Sequence, residues 1–249
     1  MMHIKTKEEI EAMRVSGRML AEVLQEIKKA AKSGVTLREL DTTAKEAIYK
    51  RGAGSSIREY KGNGTLPPFP AYLCASVNDE IVHAPATRDI ELKDGDIIGL
   101  DIGLVYKGWH ADMAETIPIG AVSNNVKRLL KVTKESMYKG IEAALVGNTL
   151  NDVSMAVYNH VEANNFGTVT SFSGHGIGRE IHEEPTVPNY PTKKAEEIVL
   201  KEGMVIAIEP MVTEGDPGLE ISDDGWTAKT QDGGLSAHFE RTVAITEDG

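Results

Sequence analysis

The sequence predicts an α+β fold of two similar halves, with strands from both halves in one curved antiparallel sheet and helices on its outer face. Three observations predict it. Residues 92–104 read LKDGDIIGLDIGL and residues 200–212 read LKEGMVIAIEPMV, so an apolar, strand-like run with a central carboxylate occurs twice. Upstream of these runs, GVTLRELDTTAKEAIYKRG and GNTLNDVSMAVYNHVEANNFG share a Gly-x-Thr-Leu start, with Gly34 and Thr36 matching Gly147 and Thr149. Helical and strand-like segments then recur in the same order. The economical reading is a duplicated unit of two helices followed by strands. Two such units pair about a pseudo-two-fold axis in a single domain, 1–249, with halves of about 1–120 and 121–249. Repeats spaced this far apart do not describe a solenoid.

Each element has its own local reason. From Thr6 to Ala31, the residues Ile10, Met13, Leu20, Leu24, Ile27 and Ala31 recur at helical steps and mark one apolar face. Thr6 with Glu9, and Thr36 with Glu39, have capping-box spacing. Gly34 is expected to stop the first helix; the second runs to about Arg51 and ends at Gly52. GNGTLPPFP is too rich in Gly and Pro for an interior element. LCASVN, DIIGLDIGLVY and ETIPIG read as strands. In the second half, VKRLLKVTKESMYKGIEAAL and the segment from Gly147 to Gly167 read as helices, and MVIAIEPMV and ERTVAIT as strands.

Composition narrows the function classes. With 41% hydrophobic residues, 249 residues can bury a full core. The net charge of −11 comes without a basic patch, which argues against nucleic-acid binding. Cys74 is the sole cysteine, so no intrachain disulfide forms and a cytoplasmic location is expected. MMHIKTKEEIEAM lacks the apolar core of a signal peptide, and no apolar run is long enough to span a membrane.

The chemistry lies in the carboxylates. A carboxylate inside a strand is costly unless it is paired or bound to a cation. Asp101 in IIGLDIGLVY and Glu209 in VIAIEPMV have no Lys or Arg close in sequence, and Asp112 in WHADMAET and Glu240 in SAHFERTVAIT keep similar company. The duplication would bring Asp101 and Glu209 to face each other, with Asp112 on the strand pairing with that of Asp101. Carboxylates gathered in one site cannot all stay ionised without cations, and two divalent ions balance these four. SGHGIGREIHEEP adds His175 and His182. On a strand, their odd spacing puts them on opposite faces, so one is expected to ligate and the other to face a substrate. Gly174, Gly176 and Gly178 suggest close backbone approach to a ligand. His3, His110 and His160 read as bystanders. Oxygen ligands with one or two imidazoles suit Mn, Fe, Co or Zn. A bridged pair of such ions would hold a hydroxide poised to attack a carbonyl or phosphorus. The residues therefore point to a dinuclear metallohydrolase, with the substrate open.

The motifs SVNDEIVHAP, LKDGDIIGLDIGLVYKGWHADMAET, SGHGIGREIHEEP, AIEPMV and GGLSAHFERTVAIT also resemble those of type I methionine aminopeptidases, over nearly the whole chain. The resemblance implies the pita-bread fold and two divalent metal ions held by Asp101, Asp112, His175, Glu209 and Glu240. By resemblance, Asp112 and Glu240 bridge the ions, Asp101 holds one, and His175 and Glu209 hold the other. It also implies catalytic roles for Glu209 as proton shuttle, His182 at the scissile carbonyl and His83 at the scissile nitrogen. Phe69, Cys74, Ile181 and Trp226 match substrate-pocket positions, and Asn78, Glu80 and Ser236 match a monovalent-cation site. The implied activity is removal of initiator methionine from nascent chains whose second residue is small. The implied enzyme is a cytoplasmic monomer with the ribosome as a candidate partner. The chain departs from the family at Ala84-Pro85-Ala86 after His83, at Ile181, and in a long GNGTLPPFP loop. These departures bear on substrate stringency more than on catalysis.

Three other readings compete. An Xaa-Pro peptidase of the same fold usually adds an N-terminal domain, whereas this chain starts at its first helix. A peptide-binding relative without catalysis would have lost metal ligands, and all five are present. A dinuclear phosphoesterase would want cationic groups near the metals, and the acidic motifs offer few.

Overall fold

The computed structural model describes residues 3–62, 64 and 66–247, so Asn63 and Thr65 of the GNGTLPPFP stretch lie outside the described residues. The first half opens with α1 (Lys7–Ala30) and α2 (Leu37–Lys50). Both begin with the expected reciprocal cap: the Thr6 and Thr36 hydroxyls accept from the Glu9 and Glu39 amides, while the glutamates accept from the threonine amides. Gly52, with φ +67°, follows the C-cap of α2 as expected. Gly34 does not end α1; the helix closes at Ala31, and Gly34 (φ +87°) turns the chain toward α2.

The strands of this half are β1 (Gly54–Ser55), β2 (Cys74–Val77), β3 (Glu80–Val82), β4 (Ile97–Tyr106) and β5 (Trp109–Pro118). The second half repeats the plan with α3 (Asn124–Ala143) and α4 (Leu150–Glu162). It continues with β6 (Gly167–Thr168), β7 (Gly174–Gly176), β8 (Glu183–Val187), α5 (Lys193–Glu196), β9 (Val205–Ile208) and β10 (Met211–Thr213). β11 (Leu219–Ile221), β12 (Ala228–Thr230) and β13 (Ser236–Ala244) complete the chain.

Corresponding hydrogen bonds recur between the halves. Gly34 and Leu37 donate to Leu92 and Ile90, as Gly147 and Leu150 donate to Leu200 and Ile198. The Gly95 amide donates to Ile119, as the Gly203 amide donates to Ile245, and both glycines have positive φ. The Lys-acid-Gly turns of the two opening motifs thus do the same job twice.

Among the described residues the main sheet has ten strands, in the order β1-β4-β5-β13-β9-β7-β8, with β2 on β4, β10 on β13 and β6 on β10. The pairings are antiparallel, and β13 joins the halves by pairing with β5 on one side and β9 on the other. A smaller sheet, β11-β12-β3, stands apart from this path. α1 packs on β4 and β5, and α3 on β13 and β9. Ile98, Leu100, Ile102 and Leu104 on β4 are buried with Leu20, Leu24 and Ile27 of α1. Ile206, Ile208 and Phe239 are buried with Met137, Val153 and Val157 of α3 and α4. Burial of these apolar side chains is the main term holding helices to sheet. With the even-numbered apolar residues of β4 turned toward the helices, period-two alternation turns Gly99, Asp101 and Gly103 to the other face.

Candidate metal centre and its cavity

Register sets the site. Residues paired across an antiparallel ladder point to the same face. Cys74 of β2 pairs with Asp101 of β4, Asp101 with Ala114 of β5, and Ala114 with Glu240 of β13. One row across four strands thus carries Cys74, Asp101, the small Ala114 and Glu240 away from the helices. Asp112 stands two residues before Ala114 and joins that face, as the sequence suggested. Its backbone is clamped from β13: its amide donates to the Thr242 hydroxyl at 3.0 Å, and that hydroxyl donates to its carbonyl at 2.9 Å.

Glu209 corrects one expectation. It is not inside a strand: β9 ends at Ile208 and β10 begins at Met211, so Glu209 sits in the gap made with Pro210. Proline has no N–H for the ladder, and the residue before it is restricted as well. Asn189, itself buried, donates to the Glu209 carbonyl at 3.1 Å and holds the gap in place.

The histidines correct a second. His175 lies on β7 and His182 just before β8, two strands that pair as a hairpin. The intervening turn returns His182 beside His175, with ring centroids 4.4 Å apart. The opposite-face argument assumed a single strand and fails for that reason. His175 Nδ1 lies 2.9 Å from the Gly176 carbonyl, which can only accept, so Nδ1 carries the proton and Nε2 keeps a bare lone pair. That Nε2 lies 3.4 Å from Glu209 Oε1 and 4.0 Å from Asp112 Oδ2.

The flanking glycines correct a third. A Cβ on Gly174 would collide with the Ala207 carbonyl, one on Gly176 with the Glu184 carbonyl, and one on Gly178 with Lys5 and Glu183. Their small size serves the protein's own packing, and of the three only Gly174 also lines the cavity, where a ligand could approach its backbone.

The donor set fits divalent cations. Ligand atoms of Asp101, Asp112 and Glu240 lie within 4.8 Å of one another, as do those of His175, Glu209 and Glu240, and those of Asp112, His175 and His182. Among the described residues no Lys or Arg lines the cavity above them. Arg241, next to Glu240, is drawn to the helix-facing side, where it pairs with Glu115, which Lys28 also neutralises. Glu240 Oε1 is buried with no hydrogen-bond partner. Burial pushes the Asp101 carboxyl up to about 7, against a hydrogen bond from the Cys74 thiol that lowers it. Burial and mutual repulsion push Asp112, Glu209 and Glu240 well up. Such crowding calls for cations.

These groups floor a cavity of about 980 Å³. His83 and His182 line it, as do Phe69, Cys74 and Trp226. His83 adopts φ +60°, an uncommon conformation for a non-glycine, and its ring stands edge-on to Phe172 at 5.1 Å. The Ala84-Pro85-Ala86 segment packs along β2, with Ala75 donating to Ala84 and Ala86 to Leu73. Phe69 meets Trp226 edge-to-face at 5.2 Å. Ile181, expected in the pocket wall, packs instead with Ile10, Met13, Trp109, Ile177 and Val205. It does not line the cavity, although its Cδ1 lies against Gly103 on the site face of β4 beside Ile57, while its neighbour His182 faces the cavity. Asn78, Glu80 and Ser236 meet at one junction with partners of their own. The Asn78 carbonyl accepts from the Ser236 amide, Glu80 pairs with Arg88, and the Ser236 hydroxyl donates to Val212.

Two site residues escaped the sequence reading. His238 is 3% exposed on β13, and its Nε2 lies 3.7 Å from Glu209 Oε2 without a hydrogen bond. Its position two residues before Glu240 on a strand was a usable signal, because i and i+2 share a face. Tyr60, whose hydroxyl lies 2.8 Å from His182 Nδ1, had no local signal.

Comparison with known proteins agrees with this geometry. The chain is 45% identical to a methionine aminopeptidase of Clostridium perfringens over 249 residues, 100% of this chain and 97% of that protein. It superposes on the crystal structure of methionine aminopeptidase from Rickettsia prowazekii with a TM-score of 0.94 at 36% identity, covering 100% of this chain and 98% of that one. A prolidase from Pyrococcus furiosus shares the fold at TM-score 0.73 and 23% identity, with 98% of this chain covering 63% of that one. The model of metallopeptidase family M24 matches residues 11–247, and the chain belongs to that family.

Proposed function

We propose that this chain is a methionine aminopeptidase: it removes an N-terminal methionine, ahead of a small second residue, from newly made proteins in the cytoplasm. The observation that carries the reading is the convergence of Asp101, Asp112, His175, Glu209 and Glu240 at the floor of a cavity whose wall is apolar and aromatic. Those five residues would hold two divalent ions. Bound there, the ions would polarise the first peptide carbonyl and lower the pKa of the attacking water.

The chain's own groups supply the rest. Glu209, flanked by His175 and His238 but with no Lys or Arg beside it, is the carboxylate that would take a proton from the attacking water. His182 and His83 face the cavity and remain neutral. Burial lowers the His83 pKa to about 4, and His182 is lowered by burial and by neighbouring histidines. Neutral imidazoles can donate an N–H to a developing oxyanion or to the departing nitrogen without adding fixed charge. Phe69 and Trp226 offer an edge-to-face wall suited to a thioether. Sequence identity over nearly full length favours this reading over a proline-specific one, because the likeness to prolidase extends to the fold alone. A phosphoesterase reading lacks cationic groups at the cavity.

The deciding experiment is hydrolysis of Met-Gly-, Met-Ala-, Met-Trp-, Leu-Gly- and Ala-Pro-started peptides after loading metal-free protein with Mn, Co, Fe or Zn. Cleavage confined to Met before Gly or Ala is expected. Preference for Ala-Pro would replace the reading with the proline-directed one, and silence with every metal would leave a peptide-binding protein.

A further inference from the structure

The Tyr60 hydroxyl lies 2.8 Å from His182 Nδ1, and the two rings meet at 5.0 Å with planes 64° apart. The residues come from distant parts of the chain. Tyr60 sits at the base of the loop that carries GNGTLPPFP, and that base is pinned. The Glu59 amide donates to the Phe69 carbonyl at 3.0 Å, the Phe69 amide donates to Tyr60 at 2.8 Å, and the Tyr60 amide donates to Ile57 at 3.0 Å. The backbone that carries the phenol is therefore pinned on both sides. On its side, His182 is fixed by the β7–β8 hairpin.

Which atom carries the shared proton follows from the chemistry of the pair. A phenol is a good donor and a poor acceptor, whereas the sp² nitrogen of a neutral imidazole is a strong acceptor. The Tyr60 O–H therefore donates and Nδ1 accepts. A neutral imidazole has one N–H, so that proton must sit on Nε2. Without the hydroxyl, His182 could place its proton on either nitrogen and rotate. A histidine presenting a lone pair to the reacting carbonyl would repel the developing negative charge instead of donating to it.

We propose that Tyr60 is a positioning residue that locks His182 in the Nε2–H tautomer, so that a donor rather than a lone pair faces the substrate carbonyl. This rests on the aminopeptidase reading for its consequence, but the tautomer itself does not. It also gives the loop a task beyond walling the pocket, because the residue that closes its base sets the chemistry of a histidine on the opposite half.

The test has two arms. In the first, the protein is labelled with ¹⁵N-histidine and its imidazole nitrogen shifts are read without metal, with His182→Ala identifying the signals. Wild type is expected to show Nε2 as the protonated nitrogen, and Tyr60→Phe a mixture of both tautomers. A wild-type signal with Nδ1 protonated overturns the proposal, and so does an unchanged signal in Tyr60→Phe. The second arm is kinetic. Tyr60→Phe is expected to lower kcat on a Met-Ala peptide about 10-fold with KM within two-fold, and to change nothing further in a His182→Ala background. A loss of equal size in that background would show that Tyr60 acts independently of His182 and overturn the assignment. If no peptide is cleaved at all, the aminopeptidase reading falls while the first arm still decides the tautomer.

Discussion

His238 holds its Nε2 3.7 Å from one oxygen of Glu209, while His175 Nε2 lies 3.4 Å from the other. The carboxylate is thus flanked by two imidazoles with different duties. His175 is committed by its Nδ1 bond to present a lone pair. His238 has no partner on Nε2 and can offer a proton there. Burial lowers its pKa to about 3, which favours the neutral imidazole, able to donate from Nε2 once the 3.7 Å gap to Glu209 closes. Groups that orient a metal-ligating carboxylate commonly matter 10–100-fold in metal affinity. His238→Leu is expected to weaken Mn binding by roughly 10-fold, measured by calorimetry, while His238→Gln, which keeps an N–H donor, loses far less. Equal losses in both variants would mean that His238 only fills space. Glu209→Gln itself should abolish turnover without changing the circular dichroism spectrum; retained activity would remove Glu209 from the mechanism.

The metal-free protein should lose stability as pH rises above neutrality. Two sets of groups oppose each other at lower pH. The buried histidines His83 and His175 are held near 4 and His238 near 3, below the ordinary value, so folding sheds their protons and stability rises with pH up to about 6.5. The carboxyls act the other way: Asp101 is raised to about 7, and Asp112, Glu209 and Glu240 are raised well above their ordinary values. The unfolded histidines are half protonated at about pH 6.5 and essentially neutral only above about pH 7.5. Beyond that the raised carboxyls set the slope, with the buried Cys74 thiol, also raised, acting in the same sense. The folded state then holds more protons than the unfolded one, and stability falls as those protons are lost. Thermal melts of chelator-treated protein should show a lower Tm at about pH 9 than at about pH 7.5. Mn-loaded protein should be flatter, because cations replace the protons. A metal-free Tm that climbs through this window would contradict the clustering of the carboxylates.

Gly174→Ala should destabilise the protein by about 1–3 kcal/mol, the usual cost of forcing a methyl into packed structure. The added Cβ would press on the Ala207 carbonyl of the neighbouring segment, and backbone yields less readily than a flexible side chain. Because Gly174 precedes His175, metal affinity should fall with stability. Gly17→Ala is the control: a Cβ there meets nothing within 4 Å, and alanine favours the helix. Chemical denaturation midpoints would separate the two; equal stability in both variants would show that β7 can shift away from Ala207.

Much of this was legible because the signals were local. Thr6 with Glu9 and Thr36 with Glu39 announce helix starts, since a capping box lies within four consecutive residues. Asp101 and Asp112 lie in strands whose alternation is written in the sequence, and the antiparallel pairing then joins them. The failures arose where a local pattern was broken by something non-local or overlooked. Glu209 leaves the strand because Pro210, with no N–H for the ladder, interrupts the apolar run. His175 and His182 met because a hairpin turns between them. Tyr60 was invisible because its partner, His182, lies 122 residues away.

Substrate selection should depend on Trp226. Its indole is 9% exposed and stands edge-on to Phe69 at 5.2 Å. The backbone beneath it is fixed by Asp224, whose carboxylate accepts from the Trp226 and Thr227 amides, each at 2.8 Å, and from the Thr227 hydroxyl at 2.6 Å. The ring is thus a rigid wall and not an adaptable one. Beside it, Gly62 and Leu66 bring the loop to the same part of the cavity. A rigid aromatic wall can distinguish a straight thioether from a branched aliphatic side chain by shape. Differences of one or two methylene groups in such a pocket are worth roughly 10–200-fold. Trp226→Ala is expected to lower kcat/KM for Met-Ala peptides roughly 10–100-fold and to narrow the gap between Met- and Leu-started substrates. Phe69→Leu should do the same to a smaller degree, since it removes the edge-to-face contact but keeps bulk. Both should leave metal binding unchanged, because neither touches the carboxylates. Selectivity unaltered in Trp226→Ala, alongside a lower melting temperature, would reduce the indole to core packing and move the reading of the first side chain to Cys74 and Ile57, which also line the cavity.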